Sequence, residues 1–290
     1  MRRHKRIVFL TFVLVLSLLS SCKPPPKEGS ERILYYSFRD NNLDVYIMSV
    51  DGSYLDNITN YPADDAYPSW SPDAKQLAFQ SDRDGNWEIY IENLDRSGLK
   101  RLTINPANDL FPAWSPDGKK IAFQTDRDGN MEIYVMGIDG SDPVNLTKNP
   151  TSDAFPDWSP DGKKIAFSSD RDGNYEIYVM DADGGNVKHL TNEVLNDFAP
   201  RWSRDGRQIA FYAGIPSSSD SSAFEVFTMN ADGSNLISLV KNATSPDWTS
   251  DGEHIIYVSQ GDLFSMTTDG QEITPLTHTP DRKYDPQCEP

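Results

Sequence analysis

Short apolar runs bounded by turn residues recur along the chain. ILYYS begins at Ile33, LAFQS at Leu77, IAFQT at Ile121, IAFSS at Ile165, IAFYA at Ile209 and IIYVS at Ile255. Each run has the length and the β-branched and aromatic content of a strand. The tryptophans that precede five of them stand at 70, 114, 158, 202 and 248, a spacing of 44 residues that lengthens to 46 only before the last. The segment IPSSSDSSA, residues 215–223, accounts for the excess. A period of this length fits a blade of four strands. In one period the pattern predicts strands over Phe155 to Trp158, Lys164 to Ser168, Glu176 to Met180 and Val187 to Thr191, separated by SPDG, DRDGN and DADGG. Asp-Gly pairs supply the positive φ that tight hairpins need, so the four strands are antiparallel neighbours.

The run at Ile33 has a third and a fourth strand after it but no Trp strand before it. The chain's last residues, YDPQCEP, supply one. Pro286 precedes Cys288 by two residues, as Pro68, Pro112, Pro156, Pro200 and Pro246 precede their tryptophans. The expected architecture is therefore all-β: a six-bladed propeller of four-stranded antiparallel blades over residues 32–290, closed by the C-terminal strand joining blade 1. Closure removes the unpaired edges that an open array would expose. Cys288 stands where five copies carry Trp and reads as a small apolar filler. Leu34, where four copies have Ala, is expected to return the lost volume.

The units WSPDGKKIAFxSDRDGNxEIYVM resemble the PD40, or TolB-like, β-propeller repeat, and the resemblance covers nearly everything from Ile33 onward. It implies a six-bladed ring. It also implies a protein-binding role, because the propeller of the Tol-Pal system binds the lipoprotein Pal and works in the periplasm. The expected departures are the lack of an α/β domain ahead of the ring and a lipid anchor on this chain itself.

That anchor is read from the front of the chain. Residues 1–21 join a basic start (Arg2, Arg3, Lys5, Arg6) to an apolar run from Ile7 to Leu19, the pattern of a secretory signal. The run is short for a bilayer span. Leu19-Ser20-Ser21-Cys22 resembles the lipobox in which the cysteine is lipidated, so Cys22 is the expected lipidation site and residues 22–31, with KPPPKEGS, a Pro-rich tether. The chain is then extracytoplasmic, held to a bacterial membrane through lipid only. Charge narrows the partners. The net charge of −17 becomes −21 once residues 1–21 are removed, which opposes nucleic acid and anionic membranes. A cell-envelope protein or peptide is the expected partner of a monomeric binding scaffold.

An aspartate recurs five residues before four of the five repeat tryptophans, at Asp65, Asp109, Asp153 and Asp197, with Ala243 before the fifth and Lys283 at the matching place before Cys288. One reading places these four carboxylates around the mouth of the central channel, to hold a basic segment or a divalent cation such as calcium. The other has each side chain capping its own turn. DRDGN lacks the EF-hand glycine position and reads as a hairpin turn. Trp87, in a position filled by Met131 and Tyr175 in sister blades, reads as a half-exposed residue that anchors a partner or covers the neighbouring strand. For catalysis the chain has no G-x-S-x-G elbow, and His189, His254 and His278 stand in no metal-ligand spacing. No catalytic residue and no cofactor are expected. The alternative is a metal-dependent carbohydrate-active or hydrolytic enzyme at the same mouth.

Overall fold

A computed structural model describes residues 30–39, 41–215 and 223–290 of the chain. The signal sequence and Cys22 lie outside the described residues. Among the described residues no helix is long and apolar enough to cross a membrane.

Six four-stranded antiparallel sheets form the molecule. Blade 2 shows the pattern: Asp65–Trp70 innermost, then Gln76–Ser81, Glu88–Asn93 and the two-residue outer strand Lys100–Arg101. Blades 3 to 6 begin with Asp109–Trp114, Asp153–Trp158, Asn196–Trp202 and Thr244–Trp248. Blade 1 is assembled from both ends of the repeat region, with Lys283–Cys288 inside Arg32–Arg39, Asn42–Ser49 and Leu55–Asn57. Its register pairs Ile33 with Cys288 and Ser37 with Lys283. The closing strand is also tied across blades. The Cys288 amide donates to Asp247 Oδ2 at 2.7 Å, and the Trp70 indole donates to the Gln287 carbonyl at 2.9 Å. The Arg32 guanidinium pairs with Glu289.

The core lies between blades, not within one sheet. Ala78 packs with Trp114, Ala122 with Trp158, Ala166 with Trp202 and Ala210 with Trp248. A small residue on the second strand of one blade thus receives the indole of the next. This corrects the expected compensation for Cys288. Leu34 faces Trp70, whereas the residue set against Cys288 is Ile256, which holds the alanine position of blade 6. Where the indole shrinks to a thiol, the facing methyl grows to a sec-butyl group, so density is conserved. The thiol is buried and free, and burial pushes its pKa well up, so it is held as an unreactive apolar group.

Candidate functional site: the axial cavity

The recurring aspartates stand at the start of the inner strands and are fully buried. Asp65 pairs with Arg83 at 3.0 Å, Asp109 with Arg127 at 2.8 Å and Asp153 with Arg171 at 2.9 Å. Each arginine comes from the DRDGN hairpin of the same blade, so the pair locks an inner strand to its own hairpin. Asp197 has no such partner, because the matching position in blade 5 is Ile215. Its Oδ2 is buried without a hydrogen bond, and burial, then the charges of Glu176 and Glu193, push its pKa up to about 7. Lys283, at the corresponding place in blade 1, reaches Asp262 at 2.8 Å. A calcium shell of six to eight oxygens does not fit three carboxylates already committed to guanidinium groups.

The rest of DRDGN is equally structural. The first aspartate (Asp82, Asp126, Asp170) accepts from the backbone amides of Asp64, Asn108 and Ser152 at 3.0, 2.9 and 2.7 Å. The third residue (Asp84, Asp128, Asp172) accepts from the hydroxyls of Tyr90, Tyr134 and Tyr178. The glycines have φ of 102°, 102° and 111°, which the hairpin requires. Trp87 is half-buried and packs against the cluster between blades 1 and 2.

The channel is reached by different residues. Every inner strand carries a register shift before its proline. At that bulge stand Tyr67, Phe111, Phe155, Ala199, Ser245 and Asp285, all with positive φ between 43° and 56°. Left-handed backbone costs a non-glycine residue about 1–2 kcal/mol, and retention in six divergent blades ties the strain to a shared purpose. That purpose is directional, since a bulge re-aims side chains. The six residues converge on a cavity of about 260 Å³, which lies on the ring axis because all six blades line it. One side of the cavity is an aromatic arc. Tyr36 and Tyr67 have ring centroids 4.7 Å apart, Tyr67 and Phe111 4.0 Å, Phe111 and Phe155 4.5 Å. The remaining wall mixes aromatic and polar groups, with Tyr212, Phe224 and Tyr284 beside Ser245, Asp285 and the Arg201 side chain.

Two residues beyond each bulge comes a collar: Ser69, Ala113, Asp157, Arg201, Asp247 and Gln287. Arg201 lies 3.3 Å from Asp285 and 3.8 Å from Asp157, and Arg204 lies 3.9 Å from Asp247. Burial pushes Asp157 up to about 6 against the pull of Arg201, and raises Asp285 also. Below the collar a second cavity of about 230 Å³ opens toward the SPDG turns, lined by Trp70, Trp114, Trp158 and Trp202. The channel is thus an amphipathic passage: aromatic rings line it on blades 1 to 5, and charge is supplied by Asp157, Arg201, Asp247 and Asp285 on blades 4 to 6 and 1. Such a surface suits an inserted segment that carries both an apolar side chain and a charged group.

Sequence reasoning missed these residues. The available signal was the aromatic residue directly before the proline in DAYP, DLFP and DAFP, and the change to Ala, Ser and Asp at the same place in the other three blades.

The family described as TolB beta propeller domain (PD40) matches residues 21–111 and 107–286. No curated protein sequence matches the chain. Among solved structures, TolB from Acinetobacter baumannii is similar at 25% identity and a TM-score of 0.78, over 90% of this chain and 67% of that one. The structure of putative TolB from Agrobacterium tumefaciens is similar at 22% identity and a TM-score of 0.70, over 90% of this chain and 98% of that one. Oligogalacturonate lyase from Vibrio parahaemolyticus shares the fold at 13% identity and a TM-score of 0.59, over 83% of this chain and 73% of that one. With matches that span most of its length and a ring of six such blades, the chain belongs to the TolB β-propeller (PD40) family.

Proposed function

We propose that this chain is a non-catalytic, extracytoplasmic binding platform, held to a bacterial membrane through lipid on Cys22, that takes a segment of another envelope protein into its axial cavity. The observation that carries this reading is the mixed lining of the axial cavity, where aromatic rings, Tyr67, Phe111 and Phe155 among them, share one opening with Arg201 and Asp285. Aromatic rings give broad contact at low entropic cost, and the buried ion cluster among them selects the charge and direction of what enters. Similarity to TolB from A. baumannii supports an extracytoplasmic protein-binding role. In this reading Asp65, Asp109, Asp153 and Asp197 are struts that hold the inner strands, and they carry no ligand themselves. The acidic balance of the whole chain adds attraction for a basic partner.

The test is capture from solubilised membranes with wild type, with a Phe111→Ala/Phe155→Ala variant, and with Trp87→Ala as a control on the same face. Loss of the captured protein only in the cavity variant supports the reading, provided the variant keeps its melting temperature. Identical captures by wild type and cavity variant overturn it. The anchor is tested separately: Cys22→Ser should move the protein from the membrane fraction to the soluble one, and an unchanged distribution refutes lipidation.

A further inference from the structure

The outer strands of blades 2, 3 and 4 close the same lattice of side chains with a different residue each time. In blade 2, Arg101 bridges two carboxylates, reaching Asp84 at 3.0 Å and Glu88 at 2.7 Å. In blade 3 the task is divided between neutral groups: Asn145 holds Asp128 at 2.9 Å and the Thr147 hydroxyl donates to Glu132. In blade 4 the position belongs to His189. Its Nε2 lies against Glu176 Oε2, and its Nδ1 is 3.7 Å from Asp172 Oδ2. The imidazole stacks on Tyr178 with centroids 4.5 Å apart and planes 4° from parallel, and the Tyr178 hydroxyl donates to Asp172.

An imidazole has two ring nitrogens where the Arg101 guanidinium has five N–H donors, so fewer donors face the two carboxylates here than in blade 2. The surroundings sharpen the imbalance. Glu88 and Glu132 also accept from Asn86 and Asn130 at 3.1 Å and from the amides of Asn105 and Asn149. In blade 4, Asn174 makes the same two carbonyl contacts as Asn86 and Asn130, here to Glu193 and Leu195, without their contact to the glutamate, and among the described residues His189 is the hydrogen-bonding partner of the buried Glu176. Next to it, Asp109 and Asp153 each receive an asparagine, Asn105 and Asn149, as well as an arginine. At the junction of blades 4 and 5 these become Glu193 and Ile215, which leaves Asp197 buried with an unpartnered oxygen beside Glu176. Every change from the sister blades removes a donor or adds a carboxylate.

We propose that Asp172, Glu176 and His189 form a zinc site on the outer edge of blade 4, with one imidazole nitrogen and one oxygen from each carboxylate as ligands and water completing the shell. Ligand atoms of the three residues lie within 4.8 Å of one another, a spread that small side-chain rotations close to zinc-ligand distances of about 2.0–2.2 Å. The mixed nitrogen and oxygen set suits zinc better than calcium, which takes oxygen alone in larger number. Tyr178 fixes the ring plane and one carboxylate, as outer partners of metal ligands do. Asp172 is exposed, so the ion enters from solvent. The bound ion fastens the outer strand to its hairpin, as the Arg101 guanidinium does in blade 2.

The experiment is zinc titration by calorimetry, and melting with and without zinc, on the untagged full chain after removal of metals. One equivalent is expected to bind and to raise the melting temperature by several degrees, since any ligand of the native state alone stabilises it by mass action. Glu176→Gln should abolish both effects. His189→Arg copies blade 2, so it should fold as well as wild type while neither binding zinc nor responding to it. Saturable binding retained in His189→Arg and Glu176→Gln overturns the proposal, because the site is then elsewhere. No saturable binding by wild type overturns it as well, leaving His189 as a hydrogen-bonding bridge between strand and hairpin.

Discussion

Blades 2 to 4 and blades 5, 6 and 1 solve the same packing problem with opposite degrees of repetition. On the first arc the inner strand is locked by a buried Asp–Arg pair in every blade, and at the bulge an aromatic ring faces the channel. On the second arc the lock is lost or rebuilt: Asp197 without its arginine, Ala243 without either partner, Lys283 with the charge reversed. Charge reappears instead in the channel, as Arg201, Asp247 and Asp285. The repeated arc keeps what the ring needs, while the drifted arc holds what differentiates the cavity. A buried ion pair is worth little by itself but is costly to break, so the two arcs should respond differently to the same kind of mutation.

The largest effect is expected where the arcs meet. Removing residues 284–290 deletes the inner strand of blade 1, with the acceptor of the Trp70 indole and the partners of Arg32 and Asp247. Thermal unfolding should fall by at least about 10 °C, equivalent to roughly 3–5 kcal/mol for a domain of this size. An unchanged melt would mean the ring does not depend on its closing strand. Next comes Arg201→Met, which leaves Asp157, Asp247 and Asp285 facing one another around a narrowed channel. The expected loss is about 3 kcal/mol at pH 8. Folded Asp157 already titrates at about 6, above its unfolded value. Its native form therefore binds protons more readily than the unfolded chain does, and lowering the pH to 5 should recover part of the loss. Denaturant melts at the two pH values read this directly, and a loss independent of pH would exclude carboxylate repulsion as its cause.

Much of the ring was legible in the sequence, because a propeller is specified by short-range signals repeated at a fixed period. The strands follow from apolar runs between Asp-Gly turns, and the closing strand from Pro286 and Cys288 in the register of Pro68 and Trp70. The cavity was not legible in the same way. A strand pattern assumes strict alternation, and the bulge breaks it at the residue before proline, where Tyr67, Phe111 and Phe155 take a positive φ that propensity disfavours in bulky side chains. Nor does spacing reveal that Asp65 and Arg83, 18 residues apart, meet under the hairpin. Both belong to motifs that read as turn chemistry. The visible trace was their joint presence in three blades and joint absence in the blade with Ala243 and Gly261.

The locks allow the two arcs to be exchanged. Arg127→Ile copies blade 5 into blade 3 and should cost about 2–3 kcal/mol by stranding Asp109, whereas Ile215→Arg should restore roughly 1 kcal/mol to blade 5. Asp197→Asn tests the same point by titration. The folded pKa of Asp197, about 7, lies above that of an unfolded aspartate. Its carboxyl therefore weighs against folding increasingly as pH rises from about 4 to 7, and fully above that. The asparagine variant should be more stable than wild type by about 1–2 kcal/mol at pH 8 and equal to it near pH 4. Equal stability at both values would show that Asp197 is paired in solution.

The smallest net effect is expected from the volume exchange between blades 6 and 1. Cys288→Trp alone forces an indole against Ile256, and overpacking of a closed core should cost about 1–3 kcal/mol. Ile256→Ala alone leaves a void beside the thiol and should cost a similar amount. Together they recreate the Ala–Trp contact of blades 2 to 6, where the indole N–H of Trp158 donates to the Ala113 carbonyl and that of Trp248 to the Arg201 carbonyl, while those of Trp114 and Trp202 are buried without a partner. The double variant should therefore lie within about 1 kcal/mol of wild type, with a coupling energy larger than either residual. Additive losses would mean that Ile256 and Cys288 do not share one space. The closing blade would then be held by its strand hydrogen bonds and by the Asp247 and Glu289 contacts alone, and the inter-blade packing rule read from the regular arc would stop short of the seam.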